Sequence, residues 1–187
     1  MCFRSADELE GGLPCILASP KDEGVIAMIV RRPETDSREE VAVGELDVDQ
    51  GLVGDNWRAR GSGRTRDGSA HPGMQITLMN SRTISLLAGS RDRWALAGDQ
   101  FYVDLDLSRE NLPAGTRLVI GSATVEVTEV PHTGCKKFMS RFGAEALKFV
   151  NARRGRELCL RGINARVVVS GRVEAGDRIQ KEQTGTT

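Results

Sequence analysis

Arg117-Leu-Val-Ile120, Gly121-Ser122 and Ala123-Thr-Val-Glu-Val-Thr-Glu-Val130 form one continuous stretch in which two β-favouring runs flank two turn residues. A two-residue loop that begins with glycine is a hairpin signal, because glycine supplies the backbone freedom that the tightest turns require. Working outward, Phe101-Tyr-Val-Asp-Leu105, Gln75-Ile-Thr-Leu-Met79 and Val41-Ala-Val-Gly-Glu-Leu46 read as further strands upstream. Ile26-Ala-Met-Ile-Val30 is a buried strand, closed by Arg31-Arg32-Pro33 because proline cannot continue a central ladder. Downstream, Ala165-Arg-Val-Val-Val-Ser170 and Arg178-Ile179 close the series.

Helices sit between these strands. Ser5-Ala6-Asp7-Glu8 has the spacing of a capping box and predicts a short helix that Gly11-Gly12 ends. Asn80 or Ser81 caps a helix through Ile84, Leu86 and Leu87, ending near Gly89 or continuing irregularly toward Trp94. A further helix is expected over 143–151. From Arg58 to Gly73 the chain is rich in Gly, Ser, Arg and Asp and reads as a long, mobile loop. Many short strands with two or three helices between them indicate a β-dominated α+β domain, closed into a barrel. The β-α-β rhythm, internal repeats, G-x-G-x-x-G and the P-loop pattern are all missing from this reading. The expected division is an extension over 1–24, one domain over 25–180 and a frayed tail over 181–187, ending in Gly185-Thr-Thr.

Composition narrows the function. The 187 residues correspond to one domain with appendages. Lys and Arg number 26 against 26 Asp and Glu, so no net field draws the chain to nucleic acid or an anionic membrane. Five Phe, one Tyr and two Trp leave few rings for stacking on bases. The longest apolar run, Val25 to Val30, is far short of the roughly 20 residues that span a bilayer. Asp7, Glu8 and Glu10 crowd the start where a signal peptide would be basic, which places the protein in the cytoplasm. Cys2, Cys15, Cys135 and Cys159 are widely spaced, and a reducing compartment keeps them as thiols. Of these, Cys2 reads as terminal and loose, Cys15 as packing, and Cys159 as a core residue on a strand.

Pro131-His132-Thr133-Gly134-Cys135-Lys136-Lys137 carries the chemistry. A cysteine at a strand exit, with two lysines after it, a histidine three positions before it and helix amides nearby, has its thiolate favoured. Thiolates serve nucleophilic attack, sulfur transfer and soft-metal ligation. The alternative is a small packed cysteine beside two solvated lysines. His132 either orients or deprotonates Cys135 or is a structural histidine, and His71 reads as a surface residue. Asp55 and Asp99, each after glycine, read as turn residues.

Gly51-Leu-Val-Gly-Asp55, Gly98-Asp-Gln-Phe101, Gly115-Thr-Arg-Leu-Val-Ile-Gly121, Pro131-His-Thr-Gly-Cys135, Arg161-Gly-Ile163 and Gly171-Arg-Val-Glu-Ala-Gly-Asp177 together resemble a MOSC domain, the C-terminal domain of molybdenum cofactor sulfurases. The resemblance runs from about Ile26 to Ile179. It implies a barrel similar to the pyruvate-kinase barrel domain, and a cysteine, matched by Cys135, that ligates molybdenum or carries sulfur. Implied activities are sulfur transfer to the molybdenum cofactor and reduction of N-hydroxylated compounds; a cofactor carrier or storage protein and a cofactor-free interaction module are the non-enzymatic alternatives. The implied partners are the cofactor itself and a sulfur donor, an electron donor or a molybdoenzyme.

The cofactor is a pterin with a phosphate and a dithiolene, which needs cations or amides, hydrogen bonds and a thiolate. The expected suppliers are Cys135 as metal ligand, His132 beside it, and Asn80, Arg82, Thr133, Lys136, Arg161 and Asn164 around the pterin and phosphate. Arg58, Arg60, Arg64 and Arg66 of the long loop are additional cations. Two departures stand out. Gly98-Asp-Gln-Phe101 replaces the family's usual G-E/D-N-L, and Asp55-Asn-Trp-Arg-Ala-Arg60 replaces a histidine-rich segment. The pyridoxal-phosphate domain of full sulfurases would need several hundred more residues, so no site for that cofactor is expected in this chain.

Overall fold

In β1 (Glu23–Arg31) neighbouring side chains point to opposite faces, and both faces are buried: Ile29 joins one apolar cluster while Met28 and Val30 join another. The computed structural model, which describes residues 3–182, explains this double burial. One face of the strands fills a barrel and the other is covered by helices. Cys2 and the tail from 183 onward, including Gly185-Thr-Thr, lie outside the described residues.

The remaining strands are β2 (Glu39–Val41), β3 (Val43–Asp47), β4 (Gly51–Leu52), β5 (Ile76–Asn80), β6 (Phe101–Asp104), β7 (Arg117–Ile120), β8 (Ala123–Val127), β9 (Ile163–Val169), β10 (Gly171–Glu174) and β11 (Arg178–Lys181). Seven of them close a barrel in the order β11-β7-β8-β9-β5-β6-β1, and β1 pairs back to β11 with Glu23 opposite Gln180. β2 extends β1 outward. A small sheet, β10-β3-β4, places Leu46, Leu52 and Val173 into the barrel core. The hairpin turns at Gly121-Ser122 as expected, with Ile120 opposite Ala123.

The helices are α1 (Ala6–Leu17), α2 (Trp57–Arg60), α3 (Ser81–Ala88), α4 (Lys136–Phe142), α5 (Ala144–Asn151) and α6 (Arg153–Glu157). The capping box at Ser5 and Glu8 is present, but α1 does not stop at Gly11-Gly12. A Cβ at Gly12 would lie 2.5 Å from Leu86 Cδ1, so glycine here admits close approach to α3 rather than ending a helix. The expected absence of a β-α-β unit is also corrected: β5, α3 and β6 form one, with β5 and β6 parallel. Both strands serve two cores, Leu78 and Phe101 facing inward while Met79 and Tyr102 face the helices. Cys159 lies not on a strand but in the turn between α6 and β9, at φ +50°. Cys15 is exposed on α1, not packed. Lys181 belongs to β11 rather than to a tail. Among the described residues no helix is long and apolar enough to cross a membrane.

The approach to β9 depends on Gly162. It has φ +105°, and an added Cβ would sit 2.2 Å from the Leu78 carbonyl oxygen, whereas Gly115, at φ +90°, has nothing within 4 Å. Gly162→Ala is therefore expected to cost about 3 kcal/mol or more, and Gly115→Ala about 1–2 kcal/mol for backbone strain alone. Urea denaturation of the two variants checks this; equal costs would show that the contact with Leu78 relaxes freely.

Candidate functional site

Two buried ion pairs fix the ground on which the site is built. Arg32, immediately after β1, grips Asp55 through Nε and Nη2, each at 2.8 Å, and donates from Nη1 to the Gly98 carbonyl at 2.9 Å. Arg161 donates to Asp99 Oδ2 at 2.6 Å and to the Ala97 carbonyl at 2.8 Å, and its guanidinium lies 5.0 Å from the Phe138 ring centre on α4. The carboxylates of Asp55 and Asp99 are wholly buried; Asp55 also serves its turn, its N–H donating to the Leu52 carbonyl and its Oδ1 accepting from Trp57 N at 3.0 Å, so the reading as turn residues is corrected for Asp99. A buried arginine needs such a partner, since removing one member of a buried pair typically costs about 3–5 kcal/mol.

Between these pairs opens a cavity of about 250 Å³, with Cys135, His132 and Asn164 in its wall. Six cationic side chains line it, Arg32, Arg38, Arg60, Lys137, Arg141 and Arg161, against two carboxylates, Glu34 and Asp36. Asp36 bridges Lys137 at 3.0 Å and Arg141 at 3.1 Å, and the Lys137 ammonium holds its carboxyl below the usual range. Among the described residues Arg38 and Arg60 have no carboxylate partner within salt-bridge distance. Burial lowers the pKa of both; Arg141 and Arg32 lower Arg38 further, and Arg32 lowers Arg60. Like charges crowded in this way create a potential that an anion relieves.

Cys135 is exposed and precedes the first turn of α4, and its side chain makes no capping hydrogen bond. Its position is set by the preceding peptide: Asn151 accepts from Gly134 N at 2.9 Å and donates to Gly134 O at 3.0 Å. No hydrogen bond joins His132 to Cys135 among the described residues. Instead His132 Nδ1 faces Asp99 Oδ1 at 3.4 Å. Burial first, then the nearby Arg161, pushes the imidazole down to about 3, so the ring is neutral at physiological pH. Several buried polar atoms around the cavity lack partners: Asn56 Oδ1, Asp99 Oδ1, Asn164 Oδ1, and Nε of Arg38 and Arg161.

Of the residues expected from sequence, the cavity gathers Cys135, His132, Arg161, Asn164 and Arg60. It does not gather the others. Asn80 is buried as the cap of α3, donating to Ser19 Oγ and to the Leu105 carbonyl. Arg82 pairs with Asp104 at 2.7 Å. Both follow Met79 on the helix side of the barrel. Thr133 lines a neighbouring cavity instead, and Lys136, Arg58, Arg64 and Arg66 line neither of the two. The long loop is less open than its composition implies, because buried Trp57 donates to the His71 carbonyl at 3.3 Å and ties its ends together. Lys137, read from sequence as one of the two lysines beside the thiol, is in the cavity wall, whereas Arg32, Arg38, Arg141 and Asn151 were not anticipated. The available signal was the pair of Gly-Asp dipeptides at 54–55 and 98–99, each of which supplies a carboxylate to a buried arginine.

With this geometry in view, comparison with known proteins is direct. The family model for the MOSC domain matches residues 69–180, and the chain belongs to that family. The fold is similar to that of the YuaD protein from Bacillus subtilis, with a TM-score of 0.60 and 17% identity over 86% of this chain and 97% of that one. YiiM from Escherichia coli is similar at a TM-score of 0.56 and 16% identity, over 87% of this chain and 72% of that one. YiiM from Geobacillus stearothermophilus gives 0.52 and 16%, over 87% and 77%. Comparison with curated proteins returns no match. The MOSC family is linked to molybdenum cofactor.

His132 makes stability depend on pH in a defined sense. In the unfolded chain it takes a proton near 6.5, in the folded protein only near 3. Between those values the unfolded state binds more protons, so stability falls as pH drops, by up to about 1.4 kcal/mol per unit. Above pH 7 the residue contributes no slope. Urea midpoints measured from pH 7 to 4.5 are expected to decline more steeply for the wild type than for His132→Gln; parallel profiles would refute it.

Proposed function

We propose that the protein binds molybdenum cofactor in the arginine-lined cavity, with the Cys135 thiolate as the protein's ligand to the metal. The observation that carries this reading is one cavity wall shared by a free thiol and by two guanidinium groups, Arg38 and Arg60, without carboxylate partners. The donor set fits the group. Guanidinium forks suit a phosphate, a thiolate suits a soft metal, and the unpartnered Asn56 Oδ1 is an acceptor for a pterin N–H group. Among the described residues no three His, Cys, Asp or Glu side chains converge to cage an ion. A lone thiolate completes a coordination sphere without forming one, which suits a metal that arrives on its own organic ligand.

Each residue then has a physical task. Arg38 and Arg60 offer N–H donors to a phosphate, and Lys137 and Arg141 join them once Asp36 is displaced. Arg161 stays committed to Asp99 and holds the back wall. Neutral His132 presents no positive charge to the cavity. Bound here, the cofactor supplies two-electron chemistry at the metal. The reactions proposed are reduction of an N-hydroxylated compound, with an electron-donor partner, or transfer of sulfur carried on Cys135.

Protein purified from a molybdenum-replete host, assayed for metal, for pterin fluorescence and for N-hydroxylated-purine reduction, tests this. Cys135→Ser is expected to lose about ten-fold or more of the metal without a change in melting temperature, because a protonated hydroxyl is a poor soft-metal ligand. Arg38→Ala should lose part of it, and Lys136→Ala, whose side chain is outside the cavity, close to none. Full metal and turnover in Cys135→Ser would overturn the reading. Metal without turnover in the wild type would identify a carrier.

A further inference from the structure

We propose that a second cavity, separated from the first by His132 and Asn164, binds a small uncharged molecule with an apolar body and an N–H or O–H donor at one edge. This cavity measures about 300 Å³, at the lower end of the size of small-molecule sites. Its walls contrast with those of its neighbour. Leu112, Val127, Val130 and Ile163 make it largely apolar, and the charged groups at its margin, Arg109, Arg156 and Glu129, are of both signs and exposed. Such a site has apolar surface to offer, and its two cations and one carboxylate, all exposed, leave only a weak, solvent-screened field to attract an ion.

Recognition comes from the partition. His132 and Asn164 line both cavities. Asn164 is fully buried; its amide nitrogen donates to the Val130 carbonyl at 3.0 Å, and its Oδ1 has no partner. The unsatisfied atom is therefore an acceptor, and leaving it unpaired costs about 1–3 kcal/mol that a ligand donor recovers. In His132 the buried nitrogen is Nδ1, turned toward Asp99 Oδ1. The two atoms lie 3.4 Å apart and neither has a hydrogen-bond partner, so the ring fixes no tautomer of its own and Asn164 Oδ1 is the acceptor that carries recognition. One unpaired acceptor in a largely apolar chamber selects a donor. Of the other polar side chains, Thr128 Oγ1 is already committed to the Gly73 carbonyl at 2.6 Å, Thr133 lies exposed at the rim, and the half-buried Cys159 thiol, held protonated by its burial, serves as wall rather than nucleophile.

Because the partition is shared with the cavity of Cys135, the ligand is assigned as the second reactant; that role rests on the cofactor reading, whereas the binding site does not. The test uses indole, which has an apolar body and one N–H, and benzofuran, which has the same shape without the donor. Both are titrated into the purified protein by ligand-observed NMR. Indole is expected to bind saturably and about ten-fold more tightly than benzofuran, as one buried hydrogen bond requires. Ala114→Trp, which fills the cavity from its exposed rim, should weaken indole about ten-fold or more. Asn164→Leu should abolish the preference over benzofuran. Pyrophosphate, directed to the arginines, should leave indole binding unchanged, as should Arg38→Ala. Equal affinities for the two probes, indifference to Ala114→Trp, or competition by pyrophosphate would each overturn the proposal. So would loss of indole binding in protein loaded with molybdenum, since the chamber would then house the pterin. A protein that binds indole as described and holds no molybdenum would sink the cofactor reading and leave this site standing.

Discussion

Asp99 enters the barrel wall just before β6 and meets Arg161 just before β9, and three other parts of the site lean on that contact. Arg161 extends from it to the Ala97 carbonyl and to the face of Phe138, which ties α4, and hence Cys135, to the barrel. The second oxygen of Asp99 faces His132. A charge placed this deep is costly unless it is paired, so the pair constrains geometry more than it adds stability. Arg32 and Asp55 repeat the arrangement across the cavity, and the Gly98 carbonyl that Arg32 also engages immediately precedes Asp99. The two pairs thus share one short segment, 97–99, and hold the cavity walls at a fixed separation. Cations not committed to them are the ones left to meet an anion.

What could be read from the sequence was what depends on neighbours in the chain. The capping box at Ser5, the cap of α3 at Asn80 and the turn at Gly121-Ser122 need only a few consecutive residues, and the structure has all three. Features that depend on distant partners were misread. Gly12 resembles a helix terminator until Leu86 is placed beside it. Asp99 resembles a turn residue until a partner 62 positions away is brought to it, and the turn at Asp55 gives no sign that its carboxylate also meets an arginine 23 positions away. Asn80 and Arg82 mark a helix start correctly, but nothing local says which face of β5 that helix covers.

The same distinction applies to the cavity. Its cysteine was visible because Pro131-His-Thr-Gly-Cys135 is compact, and Arg161 and Asn164 because they stand in or beside a recognisable motif. Arg38 and Arg141 come from a loop and from the second turn of α4, segments with no motif of their own, and only folding makes them one surface with Lys137. The similarity to YuaD at 17% identity shows how little of the barrel depends on particular side chains. Alternation between two buried faces is enough to preserve it, and many sequences satisfy that pattern.

The pairing of β1 with β11 has a consequence for synthesis. A chain made from its N-terminus offers β1 early, yet the strand that seals the barrel is the last of those among the described residues to be made. Until β11 leaves the ribosome, β1 and β7 each keep an open edge, the kind of surface on which partly made β proteins associate wrongly. The arginine cavity does not wait for that event. Every residue lining it, from Arg32 to Asn164, precedes β10, so its whole complement of side chains exists while the barrel is still unsealed.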